Sequence, residues 1–165
     1  MRVPQCNSLF SQSLAILCGI MVLMPTAVPQ SIPENAANMP SLGVSAPDVT
    51  VHLADGTPVR LPALLEGHYT VLVGGCLTCP VFLRTYPGVE AVHRDYKDKG
   101  VVFYYLYNAL AHPENNGFVS PFTLEEKLKH VAIAREKLGT GPAWLCDPLT
   151  NEAKYALGDL PNPEF

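Results

Sequence analysis

The sequence predicts an α/β domain: a β-hairpin, then strand, helix, strand, helix and strand, with parallel strands and helices on the sheet faces. Three observations carry that expectation. Val101–Tyr107 (VVFYYLY) is a near-continuous apolar run, too short for a helix and suited to a central parallel strand. Tyr69–Phe82 (YTVLVGGCLTCPVF) is read as a buried strand that stops at Gly74-Gly75 and passes into Cys76-Leu77-Thr78-Cys79-Pro80. Thr123, with Glu126 three residues on, reads as a capping box opening a helix that runs to about Leu138.

Each element follows in turn. Asp48–Leu53 alternates Val49, Val51 and Leu53 with polar neighbours, Ala54-Asp55-Gly56 turns the chain, and Thr57–Leu61 returns. Pro62–Glu66 reads as a short helical turn ended by Gly67. Thr70–Val73 is the strand before the cysteines. A helix opens near Cys79, with Pro80 in its first turn, where a missing N–H costs nothing. Pro87-Gly88 should kink or break it, and Val89, Val92, His93 and Tyr96 should form its later inward stripe. Lys97–Gly100 ends it. His93 is expected to be a partly buried helix residue. Asn108–Pro121 is a long irregular loop, the kind that carries function. In the helix that follows, Leu128, Val131, Ala132 and Ala134 should face inward, and Gly139 and Gly141 close it. Ala143–Asp147 is a third parallel strand, and Asn151–Leu157 a short helix.

A C-x-x-C pair where a strand becomes a helix is a redox signature. Two thiols three residues apart can share one side of the first turn, where the helix N-terminus stabilises a thiolate. A zinc site would need a second ligand pair, and Cys146 and His112 lack the spacing for one. A purely structural disulfide across so short a loop would restrain the unfolded chain little. Cys6 and Cys18 lie in the N-terminal segment, and the odd number remaining (Cys76, Cys79, Cys146) argues against a multi-disulfide scaffold. Cys146, in a core strand, reads as an inert buried thiol. The net charge of −4 and the lack of any basic concentration argue against a nucleic-acid partner.

Residues 1–27 read as a signal peptide or N-terminal anchor: Arg2 precedes the apolar run Leu14–Met24, which has the length of a signal-peptide core and is short for a membrane span. Cuts after Ala27 or near Ala36 or Ala37 are both compatible. Residues 28–45 form a Pro-rich linker and residues 46–165 the domain. The protein is therefore expected to be exported, whether periplasmic, extracellular or membrane-anchored. A C-x-x-C pair at such an address needs active reduction to stay a dithiol.

Ala46-Pro47-Asp48 with its hairpin, the strand–CxxC–helix unit and the βαβ order resemble a thioredoxin fold. More narrowly, Val73–Phe82, then YLYNALAHPENNGF and PFTLEEKLKHVAIAREKL, are similar to the iodothyronine deiodinase family over about Val71–Tyr155. That resemblance places Cys79 of Thr78-Cys79-Pro80 at the family's selenocysteine, His112 at its loop histidine and Thr123–Lys127 at its helix start. Cysteine replaces selenocysteine, Ala109 and Leu110 replace an acidic pair, and Pro121 replaces a second histidine. Thyroid-hormone deiodination therefore does not follow. A thioredoxin fold continues with a further hairpin and a last helix, which this sequence, ending at Phe165, is expected to lack.

The expected activity is that of a thiol-dependent oxidoreductase, reducing a disulfide, a peroxide or a halogenated substrate. Cys79 or Cys76 attacks and the other resolves: thioredoxin logic favours Cys76, the deiodinase match Cys79. Thr78 would hydrogen-bond the thiolate, and His112 would give a proton to the leaving group or, alternatively, bond backbone in its turn. No bound cofactor or metal is expected. The partner is an external reductant, a thiol protein or a small thiol. Membrane anchoring would run through the N-terminus, and the sequence leaves the oligomeric state open. Two alternatives stand beside this reading: a copper-binding module using Cys76, Cys79 and His112, and an inactive truncated remnant.

Overall fold

A computed structural model describes residues 40–158. The signal or anchor segment, most of the linker and the last residues of the chain lie outside the described residues.

The hairpin forms as its turn chemistry dictates. Strand β1 (Thr50–Leu53) pairs antiparallel with β2 (Pro58–Arg60), Val51 opposite Val59. Gly56 takes φ 89°, which a side chain would resist, and the Asp55 carboxylate accepts the Thr57 N–H at 2.9 Å. A short helix α1 (Leu61–Leu65) leads to β3 (Tyr69–Gly75), then helix α2 (Pro80–Tyr96), β4 (Val101–Tyr107), α3 (Leu124–Leu138), β5 (Ala143–Cys146) and α4 (Glu152–Ala156). Short 3-10 turns at Lys97–Lys99 and Pro113–Asn116 lie between them.

The five strands form one sheet in the order β2-β1-β5-β4-β3. β3, β4 and β5 run parallel, and β1 joins β5 antiparallel. This is the expected thioredoxin-like α/β arrangement, hairpin first and βαβαβ after. Strand alternation divides the core between two faces. Tyr105, Tyr107, Trp144 and Cys146 face Phe82 of α2 and Val131 and Ala134 of α3. Leu106 and Leu145 face the other way, with Val51 and Ala153.

Several elements depart from the sequence reading for identifiable reasons. β3 is not a buried central strand. It is an edge of the sheet among the described residues, with Tyr69 and Val71 exposed. Nor does it stop at the glycines: Gly74 and Gly75 pair in register with Leu106 and Tyr107. Gly75 is required there, since a Cβ would sit 2.6 Å from Trp144 Cζ3.

Pro87 does not break α2, which runs unbroken from Pro80 to Tyr96. Pro87 and Gly88 are exposed, as is Leu83, whose carbonyl the proline leaves without its intrahelical donor. The inward face of α2 is Phe82, Tyr86 and Val89, whereas Val92 and Tyr96 stand 47% and 46% exposed, outside the expected stripe. His93 is partly buried as expected, its ring edge-on to Phe103. On α3 the capping box is present and Ala132 is exposed. The inner stripe is Lys127, His130, Val131 and Ala134, which puts two ionisable side chains on the buried face.

Candidate functional site

Local chemistry fixes the cysteine motif. Cys79 is the N-cap of α2, extended at φ −79° and ψ 119°, with Pro80 preset for the first turn. Its Sγ accepts the Phe82 N–H at 3.4 Å, a donor that no helical carbonyl can reach. Cys76 lies ahead of the helix, in the turn that leaves β3. The two thiols therefore flank the turn instead of sharing the first turn of the helix.

The irregular loop after β4 comes back to this turn. The Ala111 N–H donates to Cys76 Sγ at 3.2 Å, and the Thr78 hydroxyl donates to the Ala111 carbonyl at 2.5 Å. Cys76 Sγ and Thr78 Oγ1 are 3.6 Å apart. With the Thr78 proton held by Ala111, the protonated Cys76 thiol can donate to Thr78 Oγ1. Once ionised, its sulfur keeps the Ala111 N–H. Thr78 thus meets the Cys76 sulfur both directly and through the Ala111 peptide. Cys76, Leu77, Thr78, Cys79, Leu110 and Ala111 are all buried, the two sulfur residues at 1% and 0% exposure. Cys76, Cys79 and Cys146 are all thiols.

His112 follows Ala111 at once and is exposed. It holds a left-handed backbone, φ 45° and ψ 56°, a conformation that costs a non-glycine residue about 1–3 kcal/mol. Its carbonyl accepts from Asn116 Nδ2 and from the Asn115 N–H, bonds of the His112 main chain and not of its ring. The structure brings Cys76, Thr78 and Cys79 together and sets His112 on the surface beside them. Among the described residues no group of three His, Cys, Asp or Glu side chains could hold a metal ion, so Cys76, Cys79 and His112 do not assemble into the soft site that copper would need.

Below the motif lies a polar layer that the sequence reading missed. Tyr107 stands in register between Gly75 and Cys146. Its hydroxyl lies 2.8 Å from His130 Nδ1. Burial, with the Cys146 and Cys76 sulfurs near, pushes the Tyr107 phenol far above its ordinary value. Burial also holds the His130 imidazole below its ordinary range, against the pull of Glu126. The His130 tautomer sets which of the two donates in this bond. Burial pushes Cys146 up to about 11, which fits the inert role expected of it.

Lys127 Nζ donates to the Pro148 carbonyl at 2.8 Å and to Asn151 Oδ1 at 3.0 Å. The buried Asp147 carboxylate accepts the Ala153 and Lys154 N–H groups that open α4. The only sequence signal for this layer was helical spacing: residues 127, 130, 131 and 134 share one face of α3.

No family model matches the chain, and no curated protein matches it. Solved structures do. An uncharacterized conserved protein from Geobacillus kaustophilus superposes with a TM-score of 0.56 at 26% identity, over 73% of this chain and 59% of its own. A hypothetical protein from Sinorhizobium meliloti 1021 gives 0.55 at 18% identity, over 72% and 60%. A secreted Mycobacterium tuberculosis disulfide oxidoreductase homologous to Escherichia coli DsbE gives 0.48 at 16% identity, over 66% of each chain. The chain spans about three fifths of the length of the first two structures. Strand order and connectivity, a hairpin followed by βαβαβ, make this a thioredoxin-like fold with its cysteine pair at the junction of β3 and α2.

Proposed function

We propose that the protein is a thiol–disulfide oxidoreductase whose Cys76/Cys79 pair reduces a disulfide. The observation that supports this most is the placement of two thiols across the β3–α2 turn, each sulfur facing a backbone N–H: Phe82 for Cys79, Ala111 for Cys76. Two thiols three residues apart, one at a helix N-cap, are the arrangement that disulfide exchange uses.

Cys79, at the N-cap of a 17-residue helix, attacks one sulfur of R–S–S–R′ and forms Cys79–S–S–R. The expelled R′–S⁻ takes up a proton, which His112 on the adjoining loop gives. Cys76 then attacks Cys79 Sγ, the second substrate thiol leaves, and the protein holds a Cys76–Cys79 disulfide. Substrate gains two hydrogens and the protein loses two. An external thiol, protein or small molecule, restores the dithiol by the reverse exchange, so no resident cofactor or metal enters. The N-terminal segment exports the chain or anchors it to a membrane. Peroxide or halogenated substrates of the deiodinase-like kind would use the same attacking sulfur. The disulfide is preferred because the second thiol stands ready to resolve the adduct.

Trapping tests the assignment. Cys76→Ser should accumulate a mixed disulfide with a peptide disulfide, attached at Cys79. Cys79→Ser should accumulate none. Adducts at Cys76 alone would reverse the two roles, and adducts at neither would sink the function.

A further inference from the structure

The Ala111 peptide is gripped on both sides by the cysteine motif. Its N–H reaches Cys76 Sγ at 3.2 Å and its carbonyl takes the Thr78 hydroxyl at 2.5 Å, both bonds buried. Ala111 and Leu110 are themselves buried, at 1% and 5% exposure. One residue further on, His112 is held in the left-handed region, and Gly117 at φ 73° closes the 3-10 turn 113–116. Backbone of that kind persists in a non-glycine residue only while its surroundings hold it there. Beyond the turn the loop carries Val119 and Phe122, 73% and 79% exposed.

One anchor of this loop is therefore the sulfur that changes during the reaction. When Cys76 joins Cys79, the sulfurs close to about 2.05 Å. Cys76 Sγ is drawn toward α2, away from the position in which it accepts the Ala111 N–H, and a sulfur in a disulfide is a weak acceptor. The buried Ala111 N–H loses its partner, and a buried N–H without one is costly. We propose that loop 108–118 is a redox-responsive latch: closed over the pair while Cys76 is reduced, held by the Ala111 peptide, and released when the Cys76–Cys79 disulfide forms. This inference rests on the proposed dithiol chemistry, and the oxidant is the substrate disulfide. Release would uncover a pair that is otherwise out of solvent and make the protein disulfide reachable by its reductant. Thr78 is a positioning residue in this scheme, acting through Ala111.

Amide hydrogen exchange of the full chain, read by mass spectrometry in the reduced and oxidised states, tests it. Amides 111–118 should exchange roughly tenfold faster in the oxidised protein, equivalent to about 1.4 kcal/mol, while those of β4 keep their protection. If the mass shows loss of two hydrogens at the pair and loop exchange is unchanged, the latch is refuted and the oxidoreductase stands. If no such disulfide forms, both readings fall. A second arm does not depend on redox chemistry. Reduced Thr78→Val should exchange its loop as fast as the oxidised wild type, while Thr78→Ser, which keeps the hydroxyl, stays protected. A Thr78→Val loop as protected as wild type contradicts the latch.

Discussion

Gly75→Ala should destabilise the domain, and the size of the effect can be worked from its neighbours. The added Cβ would lie 2.6 Å from Trp144 Cζ3, 2.9 Å from Cη2 and 3.2 Å from Tyr105 Cβ. To restore ordinary contact the indole must withdraw by about 0.8 Å, enough to forfeit a quarter to a half of its attraction to whatever it leaves. It has little freedom to do so. Trp144 Nε1 donates to Thr140 Oγ1 at 2.8 Å, and the ring packs on Tyr105 and Phe82 with centroids 5.0 and 5.9 Å away. Overpacking of this kind costs about 1–3 kcal/mol, and the stiffer unfolded chain returns about 0.4–1 kcal/mol. The net expectation is a loss of about 1–2 kcal/mol, or roughly 5–10 °C in Tm for a domain of this size.

Gly74→Ala is the control. It is the neighbouring residue in the same strand, nothing lies within 4 Å of its added Cβ, and it should be neutral or slightly stabilising. Urea and thermal unfolding of both variants give the comparison. In a Trp144→Phe background the offending ring edge is gone, so the Gly75→Ala penalty should shrink by most of its size. A Gly75→Ala protein as stable as Gly74→Ala would refute the packing argument.

Three further outcomes follow from the polar layer. His130→Leu orphans the Tyr107 hydroxyl and should cost about 1–3 kcal/mol at pH 8. Because burial lowers the folded His130 value, its contribution is full above about pH 6.5 and is lost as pH falls further, so the gap from wild type should narrow by pH 5.5; a pH-independent gap in urea titrations would contradict this. Lys127→Met leaves Asn151 Oδ1 without this donor, while the Pro148 carbonyl keeps the Asn151 N–H at 3.0 Å, and should cost about 1–2 kcal/mol, whereas a neutral result would show the ammonium is dispensable. Cys146, raised to about 11, should resist iodoacetamide at pH 8 until the domain unfolds, which peptide mapping would show; labelling in the native state would contradict its burial.

Much of the frame was legible because local chemistry dictates it. The Ala54-Asp55-Gly56 turn, the Thr123/Glu126 capping box and Pro80 after Cys79 each specify backbone within a few residues. The misreadings come from long-range facts. Gly74-Gly75 looked like a break because a chain read alone does not show Trp144 filling the space a Cβ would need. Pro87 looked like a kink because its solvent exposure is a tertiary property. The pair Cys76 and Cys79 was plain from spacing, while the grip of Thr78 and Cys76 on Ala111 spans more than thirty residues and leaves no mark in either segment. Lys127 and His130 were passed over because they are polar, although their spacing put them on the buried face.

The most direct test of the central claim is the redox equilibrium of Cys76 and Cys79, read by mass-tagging thiols across a glutathione series, with Cys76→Ser and Cys79→Ser alongside. The account predicts one reversible two-electron couple, lost in either variant and untouched by Cys146→Ser. Thiols that stay reduced across the series, or that react only in denaturant, would contradict a dithiol oxidoreductase.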